Sequence, residues 1–255
     1  PGLNVDVGFP PAERIEDTLC HVVARAGRRQ IKICESEKAV HVSFFFNGKG
    51  NEPLPGEDRL VAPSLSVSDY SKTPRLSADA VTEGILDALQ TPEYSLMVAN
   101  YANVDVVGHI ENAAAILQAV ETVDREVEKV LAGAARAGVT TIITADHGTV
   151  ERWAYPDGAI DTGHTDSPVP FFVILPDGAR VPLRARGELT DVAPTVLQLL
   201  GLEQPAVMTG RSLLLDSLSS PQGRVLLVIL DGWGYRAETK ANLIAAANTR
   251  TMDRL

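Results

Sequence analysis

Apolar residues recur along this chain in two rhythms. Short, nearly continuous runs rich in β-branched side chains lie at 30–34, 42–46, 95–101, 139–143, 169–175 and 224–230. Runs of that length, apolar throughout, predict strands covered on both faces. Between them the spacing turns helical. Ile15, Leu19, Val22 and Val23 predict a helix over 12–27 that ends on Gly27, and Ser77 is a fitting N-cap for a second over 77–90. A long helix is expected over 111–137, broken near Ala132-Gly133, and another over 190–200 that Gly201 stops. Residues 240–255 are helix-prone. Pro and Gly make 1–12 an irregular lead-in, Asn47-Gly48 closes the 42–46 strand, and 48–75 reads as one long loop rich in Pro, Gly, Ser and charge. Residues 213–223 read as a joint. Strands alternating with helices predict an α/β fold whose largely parallel sheet is covered on both faces.

Composition narrows the function. With 33 acidic and 23 basic residues the chain carries a formal charge of −10. Phosphate backbones and anionic lipids repel such a surface, so neither nucleic acid nor membrane is an expected partner. A small anionic substrate stays open, because bound cations reverse the sign locally. Two cysteines, Cys20 and Cys34, make no disulfide framework and suit a reducing, cytoplasmic setting. The apolar runs are too short to span a bilayer, and the opening residues do not read as a secretory signal.

Ligand-type side chains gather just past the predicted strands. Asp146 and His147 follow the 139–143 run. Asp105 and His109 follow 95–101 at a spacing that puts both on one side of a helical turn. His164 precedes 169–175, and Asp231 follows 224–230. The carboxyl ends of strands are where α/β proteins bind ligands. Three carboxylates and three imidazoles exceed one tetrahedral zinc site but suit two ions sharing a cleft. Mixed Asp/His ligation favours manganese or zinc over calcium or magnesium. Each residue alone also has a plainer use, a histidine as a structural hydrogen bonder and an aspartate as a helix cap.

Six segments carry a family resemblance: 35–48 (ESEKAVHVSFFFNG), 100–109 (NYANVDVVGH), 144–148 (TADHG), 164–171 (HTDSPVPF), 208–213 (MTGRSL) and 228–234 (VILDGWG). Through them the chain resembles the phosphatase domain of cofactor-independent phosphoglycerate mutases, in the alkaline phosphatase superfamily. Ile110 and Thr149 depart from the usual Thr and Asn. The resemblance implies a single three-layer α/β sandwich with a mostly parallel central sheet, spanning 1–255. It implies one divalent ion, Mn²⁺ first and Zn²⁺ second, on Asp105, His109 and His164. A second ion is implied on Asp146, His147 and Asp231 together with a nucleophilic serine. Lys38 matches a lysine that contacts the substrate phosphate, whereas His41 receives no catalytic role.

The order of the segments is permuted: 1–215 resembles the family's C-terminal half, and 224–255 its N-terminus. The serine and the transferase domain that follow Asp231 in the family are not found in the chain. Thr249 and Thr251 fall in the helix-prone stretch, and Ser64, Ser66 and Ser68 match nothing catalytic. Three readings therefore stand. One is a mutase acting on a small phosphorylated hydroxy acid such as a phosphoglycerate, with the serine and second domain supplied elsewhere. Another is a phosphohydrolase cleaving a small phosphate or phosphonate ester with metal-bound hydroxide. The last is a non-catalytic, metal-stabilised binding domain.

Overall fold

The computed structural model describes residues 14–179, 181–216 and 223–255. The predicted lead-in at 1–12, the first residues of the 12–27 helix and most of the 213–223 joint lie outside them. Six strands form one sheet in the order β2-β1-β3-β6-β4-β5. They are β1 (Arg29–Glu35), β2 (Glu57–Ala62), β3 (Tyr94–Tyr101), β4 (Thr140–Thr144), β5 (Phe171–Ile174) and β6 (Val225–Leu230). All pairs are parallel except β4 with the edge strand β5. The last strand in the chain is thus the central one in space. It pairs Leu96–Tyr101 of β3 on one side and Thr140–Thr144 of β4 on the other.

Alternation along each buried strand divides its side chains between two cores. Met97, Ala99 and Tyr101 of β3, with Leu226, Val228 and Leu230 of β6, pack on α2 (Ala78–Leu89), α3 (Asn103–Gly108) and α4 (Ala113–Ala137). Leu96, Val98, Val225 and Leu227 face the other way, onto α1 (Leu19–Arg25) and α5 (Val192–Leu200). The result is a three-layer α/β sandwich of the alkaline phosphatase type. Cys20 and Cys34 are free and buried, and among the described residues no helix is long and apolar enough to cross a membrane.

Several local expectations are corrected. Residues 42–46 are not a strand. His41–Phe45 form a π-type turn, in which the Phe46 amide donates to the His41 carbonyl at 3.2 Å. β1 pairs with β2 on one side and β3 on the other, and this aromatic run joins neither pairing. The long loop at 48–75 contains β2, a polar edge strand whose charges suit an exposed sheet margin. The 111–137 helix begins at Ala113 and is unbroken. Gly133 lets α2 approach, since a Cβ there would stand 2.4 Å from a Leu86 methyl carbon. Ser77 donates to the Pro63 carbonyl at 2.7 Å instead of capping α2. The helix over 12–27 is confined to Leu19–Arg25, after Asp17 at φ +63°. Residues 240–255 yield only the turn α6 (Leu243–Ala246) and a 3₁₀ turn at Met252–Arg254. Gly201 does end α5, at φ +66°.

Candidate metal centre

Four parallel strands deliver the cluster at their carboxyl ends. Lys38 sits in the 3₁₀ turn Ser36–Lys38 after β1, Asp105 in α3 after β3, Asp146 and His147 after β4, and Asp231 directly after β6. His164 arrives on the loop before β5. Each backbone is locked to its neighbour: the Asp231 amide donates to the Tyr101 carbonyl at 3.1 Å, and the Asp105 amide to the Asp231 carbonyl at 3.0 Å. Gly232 makes this contact feasible. Its φ of +83° suits glycine, and a Cβ there would lie 2.8 Å from the Asp105 backbone.

The i, i+4 spacing acts as expected, placing His109 Nε2 3.1 Å from Asp105 Oδ1. His164 Nε2 lies 3.0 Å from the same oxygen and 3.3 Å from His109 Nε2. The second trio also comes together, with His147 Nε2 3.6 Å from Asp146 Oδ2 and 3.7 Å from Asp231 Oδ1. His147 serves as the hinge between the two sets. It stacks on His164 with ring centroids 3.6 Å apart and stands 3.8 Å from Asp105 Oδ1. All six predicted ligands therefore meet.

Lys38 is buried between the sets, its Nζ 2.6 Å from Asp105 Oδ2 and 2.7 Å from Asp231 Oδ1. Burial opposes the ammonium charge, but Asp231 and Asp105 outweigh it and hold its pKa above the usual value. Burial likewise disfavours ionised Asp105, and Lys38 more than offsets it, so this carboxyl titrates below its ordinary range. For Asp231 burial and the nearby Asp146 charge prevail over Lys38 and Asn100, and its pKa is raised. Asp105 and Asp231 share the one ammonium, and Asp146 beside Asp231 leaves the cradle anionic.

The donor chemistry fits divalent ions. Asp105 Oδ1 is buried, with two imidazole nitrogens close by, yet no hydrogen bond reaches it. A tetrahedral shell with bonds of about 2.0–2.1 Å has donor–donor edges of about 3.3–3.4 Å, close to the separations in the first trio. The imidazoles are set for ligation too. His109 Nδ1 donates to the Thr162 carbonyl at 2.6 Å and His147 Nδ1 to the Gly148 carbonyl at 3.1 Å, which leaves both Nε2 lone pairs facing the cluster.

Asn100 escaped the sequence reading. Buried near the end of β3, it donates from Nδ2 to Asp231 Oδ2 at 2.7 Å. An amide interrupting an otherwise apolar buried strand was the available signal. The hydroxyls set aside do lie elsewhere. Thr249 donates to Asp253 at 3.0 Å, Asp124 on α4 accepts from the Thr251 amide at 3.0 Å, and Ser64 hydrogen-bonds Glu35 at 3.3 Å.

The profile of the Metalloenzyme superfamily matches residues 4–204 and 223–255. A 2,3-bisphosphoglycerate-independent phosphoglycerate mutase of Parasynechococcus marenigrum is 47% identical over 219 residues, 83% of this chain and 40% of that protein. The enzyme of the same name from Thermosynechococcus vestitus is 44% identical over 221 residues, covering 84% and 41%. Among solved structures, a Leishmania mexicana phosphoglycerate mutase crystallised at low cobalt concentration matches with TM-score 0.66 and 28% identity, over 76% of this chain and 38% of that one. The chain thus spans about two fifths of the length of these curated relatives.

Proposed function

This chain belongs to the Metalloenzyme superfamily, and on that premise we propose that it carries the phosphoryl-transfer site of a 2,3-bisphosphoglycerate-independent phosphoglycerate mutase, the activity its relatives are named for. One observation carries the proposal: all three imidazoles stand within 3.8 Å of a buried Asp105 oxygen that no hydrogen bond reaches, and Asp146 and Asp231 gather around one of them, His147. Asp105, His109 and His164 would hold one divalent cation, and Asp146, His147 and Asp231 another, Mn²⁺ in first place and Zn²⁺ in second. Bound there, two such ions neutralise phosphoryl oxygens and screen the charge that develops in transfer.

The chain's own residues supply the remainder. The Thr162 and Gly148 carbonyls fix the imidazole tautomers, and Asn100 orients Asp231. The Lys38 ammonium has three N–H donors, of which Asp105 and Asp231 take two, leaving one for a substrate phosphate oxygen. The substrate in this reading is a small phosphorylated hydroxy acid such as 3-phosphoglycerate. A serine oxygen bonds to phosphorus as the substrate O–P bond breaks, and the phosphoryl group then returns to the neighbouring hydroxyl. That serine and a second domain are required in addition to the residues described here.

We propose the permuted order as well, with 1–215 equivalent to the family's C-terminal half and 224–255 to its N-terminal segment. The position of β6 at the centre of the sheet supports it. A hydrolase reading competes, favoured by the lack of an assigned nucleophilic hydroxyl among the described residues at the cluster. Incubation with Mn²⁺ and 3-phosphoglycerate, in the presence of the serine-bearing second domain that the mutase reading requires, separates them. The mutase reading expects 2-phosphoglycerate and the hydrolase reading inorganic phosphate. Silence toward this substrate and toward chromogenic phosphate esters with every divalent metal would overturn both and leave a metal-stabilised binding domain.

A further inference from the structure

Glu151 is completely buried and belongs to neither ligand trio. Its carboxylate lies where three loops meet. Oε2 accepts from the Thr149 amide at 2.9 Å, and Oε1 accepts from the Thr165 hydroxyl. Glycine backbones close in on it from two directions. A Cβ on Gly148 would stand 2.5 Å from Oε1, and one on Gly234 would stand 2.3 Å from the carboxyl carbon. The loops so gathered are those that carry His147, His164 and Asp231. The Thr165 amide adds a bond to the Gly148 carbonyl at 2.9 Å, the same carbonyl that accepts from His147 Nδ1. Among the described residues the carboxylate has no cationic partner at ion-pair distance, so its hydrogen bonds are aimed at loop positions rather than at charge balance.

We infer that Glu151 is a positioning residue that sets the spacing of His147, His164 and Asp231, and thereby the divalent-metal affinity of the centre. The inference rests on the proposed metal reading and extends it to a residue outside the ligand set. Partners one step behind metal ligands are worth about 10–100-fold in metal affinity when removed. A carboxylate touching two of the loops and packed against the third belongs in that class. Its removal loosens three ligands at once and leaves the Thr149 amide without its acceptor.

The test is Mn²⁺ titration by calorimetry on the full chain, alongside melting temperatures with and without metal. Glu151→Gln keeps the volume, and Thr165→Val removes one of the two donors while leaving the carboxylate in place. Glu126→Gln, a buried carboxylate on α4 paired with Lys129 at 2.7 Å, is the control. Both test variants are expected to bind Mn²⁺ about 10–100-fold more weakly and to lose part of the metal-dependent rise in melting temperature. The control should keep both. Test variants that melt lower by the same amount with and without Mn²⁺, at unchanged affinity, would mark Glu151 as merely structural and overturn the inference. A wild-type protein that binds no Mn²⁺ would overturn the metal reading along with it.

Discussion

Glu57 lies beneath the β2 edge, 3.2 Å from the Lys32 ammonium, with both side chains almost wholly buried. Asn47 donates to the same carboxylate at 2.8 Å and Arg59 at 2.6 Å. Burial alone would raise the Glu57 pKa, but Asn47, Lys32 and Arg59 outweigh it and hold the group below its usual value. A carboxyl depressed on folding adds stability above its unfolded pKa, and that share is lost as pH falls through the folded value. Urea midpoints should therefore drop on acidification below about pH 4.3, and Glu57→Gln should flatten this limb. The same variant strands a buried ammonium and should cost about 3–5 kcal/mol at neutral pH. A midpoint that Glu57→Gln leaves unmoved would mean the pair contributes nothing. Burial also pushes the Cys20 and Cys34 thiols up to about 12. Thiol reagent at pH 7.5 should find neither until urea unfolds the chain, when both react. Rapid labelling of the native protein would contradict that.

At the scale of elements, the strap at 208–213 shows how a glycine is fixed by its neighbours. Asp191, at the start of α5, accepts from the Arg211 amide at 2.7 Å and from Arg184 at 2.8 Å. A Cβ on Gly210 would lie 1.9 Å from the Thr190 carbonyl oxygen. That atom is backbone and has no rotamer by which to escape. Gly210→Ala should cost about 1–3 kcal/mol, read as a lower urea midpoint at unchanged slope; an unaltered midpoint would show that the strap gives way freely. Elements whose signal is local were legible in sequence: the buried strands, α2, and the stop of α5 at Gly201. Those decided by neighbours were not. The aromatic run at 41–45 has strand-like residues but folds into a turn that pairs with no strand, whereas β2 has loop-like residues but pairs along nearly the whole of β1. Gly133 reads as a helix breaker and serves instead as a point of close approach.

For the whole molecule, candidate ligands drawn from three strand ends and the loop before β5 would tie folding to metal. An ion that binds only the folded chain at 100 times its dissociation constant adds about 2.7 kcal/mol, or about 5–10 °C in melting temperature for a chain of this size. Mn²⁺ should raise the transition by that much, a chelator should reverse it, and Asp231→Asn should reduce it. A transition indifferent to chelator would remove the basis for the metal site. The sequence alone determined which residues are candidate ligands by type, that most of them follow strands, and that Asp105 and His109 share a turn, because these facts depend only on composition and short-range spacing. It did not determine that β6, last in the chain, lies between β3 and β4, nor that His147 borders both trios. Neither did it reveal that Lys38 bridges two carboxylates or that Glu151 ties the ligand loops together. Those relations join residues far apart in the chain, and only the packing of the sheet and its loops brings their atoms within bonding distance.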